Sequence, residues 1–149
     1  MKSHKKAARL YQRAADLGDV EAMKHLGYSF KDGEGVKLDK KKAVKYYRMA
    51  ADRGMENAQY NLGCCFDNGC GVAQDYAEAV RYYKLAADQG YIFAEYNLGC
   101  MYANGKGVAR DDAEAARWGG ESLPVQRSAS GQSCGFTASR ACCSAVFSA

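Results

Sequence analysis

The apolar positions of this chain follow a helical period. Between residues 55 and 68, Ala58, Leu62 and the pair Cys65/Phe66 recur at the spacing of one helix face. The cluster Asn68-Gly69-Cys70-Gly71 predicts a stop after them. A second stripe, Ala79, Tyr82, Tyr83, Ala86 and Ala87, follows Asp75, a good N-cap residue, with Glu78 placed as in a capping box. Gly90 closes this stripe with a residue that tolerates positive φ. The segment therefore predicts two helices, A then B, joined by a glycine-rich turn, and no strand.

The same pattern recurs at a 36-residue step. Gly18, Gly54 and Gly90 are so related, as are Leu26/Leu62/Leu98, Gly27/Gly63/Gly99, Gly33/Gly69/Gly105, Gly35/Gly71/Gly107 and Val36/Val72/Val108. Asp39/Asp75/Asp111, Ala43/Ala79/Ala115 and Tyr46/Tyr82/Trp118 keep the register. Upstream, Ala7, Tyr11, Ala14 and Ala15 match Ala43, Tyr47, Ala50 and Ala51, so the chain opens within a B helix. One helical hairpin cannot bury its own apolar face, whereas stacked hairpins can. The expected fold is all-α, an α/α superhelix (solenoid) of tandem helix-turn-helix repeats, with breaks near Gly18, Gly33–Val36, Gly54, Gly69–Val72, Gly90 and Gly105–Val108. A glycine inside helix A costs about 0.5–1 kcal/mol relative to alanine. Its recurrence at Gly27, Gly63 and Gly99 predicts a close helix approach, with the aromatics Tyr46, Tyr82 and Trp118 set against small residues.

These residues carry a family resemblance. The run Ala58-Gln59-Tyr60-Asn61-Leu62-Gly63, then Gly69-x-Gly71-Val72, Asp75, Ala79, Tyr82, Ala86-Ala87 and Gly90, resembles the Sel1-like repeat, a relative of the tetratricopeptide repeat. The expected organisation is a solenoid over residues 1–118, with a half repeat at 3–18, full repeats at 19–54 and 55–90, and a truncated repeat at 91–118. The resemblance implies an adaptor or scaffold that holds a protein or peptide on a concave face. The pattern fails after Trp118, where the register asks for Ala-Ala and Gly and the chain has Ser122, Leu123 and Gln126. Residues 119–149, rich in Ser, Ala, Gly and Cys, are expected to be a disordered tail, either genuine or the product of an altered reading frame, splice variant or incomplete gene model. A truncated fragment of a longer repeat protein is the alternative functional reading.

Composition adds limits. The chain has 149 residues, 48% hydrophobic and 26% charged, a globular composition. Its formal net charge of +4 hides a polarity: residues 1–54 hold 14 Lys/Arg against 7 Asp/Glu, and residues 55–118 hold 5 against 9. Such polarity steers a charged partner, but a solvated surface is its ordinary reading, and neither nucleic acid nor membrane is expected as a partner. Seven cysteines without an apolar leader point to reduced thiols in a cytoplasmic setting.

No catalytic constellation emerges. His4 and His25 are the two histidines, with no serine or cysteine elbow beside them. Ser3-His4-Lys5-Lys6 fits the S-x-x-K pattern of penicillin-recognising enzymes, but the S-D-N and K-T-G companions are missing. Handling of β-lactams, implied by some cysteine-rich relatives of the repeat, stays a remote alternative. The Gly-x-Gly turns lack the other parts of a phosphate loop. Cys64, Cys65, Cys70 and Cys100 lack metal-site spacing. No enzyme activity, cofactor, metal or small-molecule substrate is expected. Comparison of the A helices separates identical positions (22/58/94, 26/62/98, 27/63/99) from variable ones, the latter lying away from the Ala-Leu face. Lys24, His25, Tyr60, Asn61, Tyr96 and Asn97 are accordingly the expected partner-binding residues, Asn61 and Asn97 through their amides.

Overall fold

The structure, a computed structural model, describes residues 2–119. Seven helices follow one another: α1 (Lys2–Asp16), α2 (Val20–Asp32), α3 (Lys40–Asp52), α4 (Glu56–Asn68), α5 (Tyr76–Asp88), α6 (Ile92–Asn104) and α7 (Asp112–Gly119). No strand occurs among the described residues. Helices α2, α4 and α6 are the A helices, and α1, α3, α5 and α7 the B helices. Each helix packs on the next in sequence, and the chain is an all-α repeat superhelix. The expectation for the tail lies, Gly119 apart, outside the described residues.

Local chemistry sets the helix ends. Asp39, Asp75 and Asp111 cap the B helices by accepting the amides of Lys42, Glu78 and Glu114, and Asp19 does the same for α2. The capping box expected at Asp75 is only half made: Glu78 turns its carboxylate to Arg81, 2.9 Å away, instead of back to the cap. Each A helix ends on a glycine in the left-handed region, Gly33, Gly69 or Gly105.

The internal glycines of the A helices are the closest contacts in each hairpin. A Cβ placed on Gly27 would lie 2.5 Å from Tyr47 Cε1, and one on Gly63 would lie 2.8 Å from Tyr83 Cδ1. The ring set against the glycine is therefore Tyr47 or Tyr83, one residue later than expected. Tyr46 and Tyr82 instead stack almost parallel on Phe30 and Phe66, at 5.6 and 5.8 Å. In the third hairpin the register position of Tyr47 and Tyr83 is held by Gly119, whose backbone N comes within 3.0 Å of a Cβ placed on Gly99.

The Gly-x-Gly turns lock successive repeats together. A side chain at the second glycine would collide with backbone of the preceding B helix: Gly35 with His4, Gly71 with Lys40 and Gly107 with Tyr76. Each of these glycines also has φ between +70° and +74°. Behind the turns, Val72 and Val108 pack, partly buried, against a core whose centre is Leu26, Leu62, Leu98, Tyr47 and Tyr83. No residue of α7 is buried.

Candidate partner-binding face

Hydrogen bonds between side chains join the A helices across repeats. The Tyr28 hydroxyl donates to Asn57 Oδ1 at 2.7 Å, and Asn57 Nδ2 donates to the Tyr91 hydroxyl at 3.1 Å. Asn61 Nδ2 donates to the Tyr28 hydroxyl, to Asn57 Oδ1 and to the Asn57 carbonyl, at 2.7–3.0 Å. One network thus runs from α2 through α4 to the N-cap of α6. Beside it, Tyr60 packs its ring on Tyr83, Tyr91 and Phe93, with centroids 5.1–6.2 Å apart. Phe93 is 58% exposed and Ile92 63% exposed, so this aromatic cluster opens to the surface at the start of α6. Burial, and then the neighbouring Tyr91, pushes the Tyr60 phenol up to about 12.

The sequence-expected residues occupy different depths on this face. Lys24 is half-buried and pairs with Glu21 at 2.7 Å. His25 stacks on Tyr11 with ring centroids 4.7 Å apart. Tyr60, Asn61 and Tyr96 are half-buried. Asn97 is buried, at 5% exposure, with its amide near the Tyr60 and Tyr83 hydroxyls but without a well-formed hydrogen bond from Nδ2. The face brings Tyr60, Asn61 and Asn97 together with Tyr28, Asn57 and Phe93, which also lie at variable A-helix positions, and with Tyr91 at the N-cap of α6, which comparison of the A helices does not reach. Asn57 and Phe93 share one register position with Glu21, and only the difference among these three residue types signals it.

The sulfur chemistry departs from the expected reduced thiols. Cys64 and Cys70 are disulfide-bonded, whereas Cys65 is a buried thiol outside any disulfide. The amide of Cys70 bonds back to the Cys65 carbonyl at 2.9 Å, which folds Cys70 over the last turn of α4. Burial pushes the Cys65 thiol up to about 11, against the nearby charges of Lys31 and Lys40, so it is not a ready nucleophile. Among the described residues there is no cluster able to hold a metal ion, and no helix long and apolar enough to cross a membrane.

Comparison with known proteins agrees with this architecture. The Sel1 repeat family model matches residues 1–19, 20–55, 57–91 and 92–119. Among solved structures, a protective antigen of uropathogenic Escherichia coli strains displaying an SLR fold is 39% identical, with a TM-score of 0.76 over 76% of this chain. A Sel1 repeat protein from Oxalobacter formigenes is 32% identical, with a TM-score of 0.73 over 76% of this chain. Helicobacter pylori cysteine rich protein B is 26% identical, with a TM-score of 0.57 over 80% of this chain and 91% of its own. The chain spans only 24% and 47% of the lengths of the first two. No curated protein matches.

Proposed function

We propose that this chain, which belongs to the Sel1 repeat family, is an adaptor that holds a protein or peptide partner along the face built by α2, α4 and α6. Sel1 repeats are generally protein–protein interaction modules, and proteins built from them are typically non-enzymatic scaffolds. The observation that carries the reading is the network from Tyr28 through Asn57 and Asn61 to Tyr91, ending beside the exposed pair Ile92 and Phe93. It presents rigid aromatic area next to fixed polar groups, and rigidity lowers the entropy cost of binding. Lys24, His25, Tyr60, Asn61, Tyr96 and Asn97 are the proposed contact residues, with Phe93 added as the exposed anchor. Asn61 takes part through Oδ1, because its Nδ2 is spent within the network.

A photo-crosslinking residue placed at Phe93, and as a control at the exposed Lys45 of α3, tests the face. Crosslinks from Phe93 and none from Lys45 support it. With the partner in hand, Phe93→Ser should weaken the complex at least about 30-fold, the loss of one anchor worth about 2 kcal/mol. Melting should hardly change, since Phe93 is exposed. Crosslinks from Lys45 alone would move recognition to the B helices. A second reading, a segment that acts only within a longer repeat array, is supported by the greater lengths of the Escherichia coli and Oxalobacter relatives.

A further inference from the structure

A small cavity of about 30 Å³ lies where the first hairpin meets α4. Lys31, Lys40, Tyr47, Asn61 and Cys65 line it. Tyr47 is only 1% exposed, and its hydroxyl has no hydrogen-bond partner. A buried donor left unsatisfied costs about 1–3 kcal/mol, so such a group marks a site where a further acceptor belongs.

The next repeat shows what that acceptor is. Tyr83 is the register equivalent of Tyr47, and its hydroxyl donates to Asp67 Oδ2 at 3.1 Å. The register equivalent of Asp67 in the first repeat is Lys31. Where one junction supplies its own carboxylate, the other supplies an ammonium, and Lys40 adds a second. Both lysines line this cavity, Lys31 half-buried and Lys40 exposed, and both act electrostatically on the Cys65 thiol beside it. Among the described residues neither is in an ion pair. Lys31 lies over the Tyr28 ring, 5.9 Å from its centroid. The carboxylate of Asp32 also acts on Tyr47, as the weakest of the charges there, but it is exposed and does not accept the hydroxyl's hydrogen bond.

We propose that this cavity takes a carboxylate group, which accepts the hydrogen bond of the Tyr47 hydroxyl and is neutralised by Lys31 and Lys40. The size agrees: a water needs about 10–15 Å³, so the space holds about two oxygen-sized atoms. The charge balance agrees as well, because a carboxylate leaves water only for paired and hydrogen-bonded surroundings. Asn61, from the partner-binding face, lines the same cavity, so an acidic side chain of a bound peptide is within its reach as well as a small free acid.

Thermal unfolding of the full chain at constant ionic strength tests this, with sodium acetate replacing sodium chloride. The melting temperature should rise saturably by a few degrees in acetate. The rise should vanish in Tyr47→Phe, which removes only the hydroxyl oxygen, and in Lys31→Asp, which installs the carboxylate of the second repeat. A parallel series with the blocked peptide acetyl-Ala-Glu-Ala-amide, against its Gln analogue, separates the sources. A response to acetate alone assigns small free acids, and a response to both assigns side-chain carboxylates as well. No response to either probe, or an equal response in Tyr47→Phe, overturns the proposal and leaves water as the partner of the hydroxyl. Neither outcome bears on the crosslinking from Phe93.

Discussion

Replacing Gly63 by alanine sets two effects of opposite sign against each other in the middle of the molecule. Helix propensity favours alanine by about 0.8–1.0 kcal/mol. The added methyl would sit 2.8 Å from both Cδ1 and Cε1 of Tyr83 and 3.3 Å from the Ala79 carbonyl oxygen. Tyr83 is fully buried, and its hydroxyl is fixed on Asp67, so the ring cannot swing away at little cost. Forcing a methyl into a packed contact costs about 1–3 kcal/mol, so the clash outweighs the propensity gain by up to about 2 kcal/mol. Gly63→Ala should therefore melt several degrees lower than the parent, and Gly63→Leu lower still. A thermal melt followed by circular dichroism measures the loss. The decisive control is the same change in a Tyr83→Leu background, where the ring is gone and only propensity remains. There Gly63→Ala should be neutral or stabilising. A raised melting temperature in the parent background, or the same loss in both, would show that the ring contact is not what keeps residue 63 a glycine.

Other expectations follow from the junctions and the buried phenols. Gly71→Ala should destabilise more than Gly63→Ala, because the new methyl meets the Lys40 carbonyl and φ is +73°; hydrogen exchange should show α4 opening away from the first repeat. Gly119→Tyr should protect the amides of α6 from exchange, since a side chain there has open space and occupies the register position of Tyr47 and Tyr83. Burial raises the Tyr47, Tyr83 and Tyr91 phenols above 10.0 and Tyr60 to about 12. The unfolded state then releases protons first, so stability is full below pH 10 and falls as pH climbs from about 10 toward 12. Phenolate absorbance should show a group of tyrosines that ionise only on unfolding.

What the sequence makes legible is whatever each repeat must do for itself. The caps Asp39, Asp75 and Asp111 and the stops Gly33, Gly69 and Gly105 are local devices, and spacing alone places them. The ring opposed to the A-helix glycine was harder, because Tyr46-Tyr47 and Tyr82-Tyr83 offer two adjacent aromatics about 100° apart on the helix. Only the third repeat separates them, keeping an aromatic at Trp118 and having Gly119 next to it. The disulfide state of Cys64 and Cys70 was not legible either. Cys64 lies within α4 and Cys70 just past the turn at Gly69, and nothing in their residue type or spacing distinguishes them from the reduced Cys65.

The candidate face shows why self-comparison of repeats has a limited reach. Variation along the A helices predicts partner contact if scaffold positions recur and contact positions do not. Yet Asn57 and Asn61 vary and still hold α2, α4 and the start of α6 together, and His25 varies while lying flat on Tyr11. A junction pairs one position of a repeat with a different position of its neighbour, Tyr28 with Asn57 or Asn57 with Tyr91, so nothing obliges either to recur at the 36-residue step. Positions that recur serve the hairpin and the backbone contacts between turns, while positions that vary serve either a junction or a partner. Exposure divides that second class: Phe93 is open to solvent, whereas Asn97 is enclosed, so a substitution at Phe93 reads binding and one at Asn97 reads packing as well.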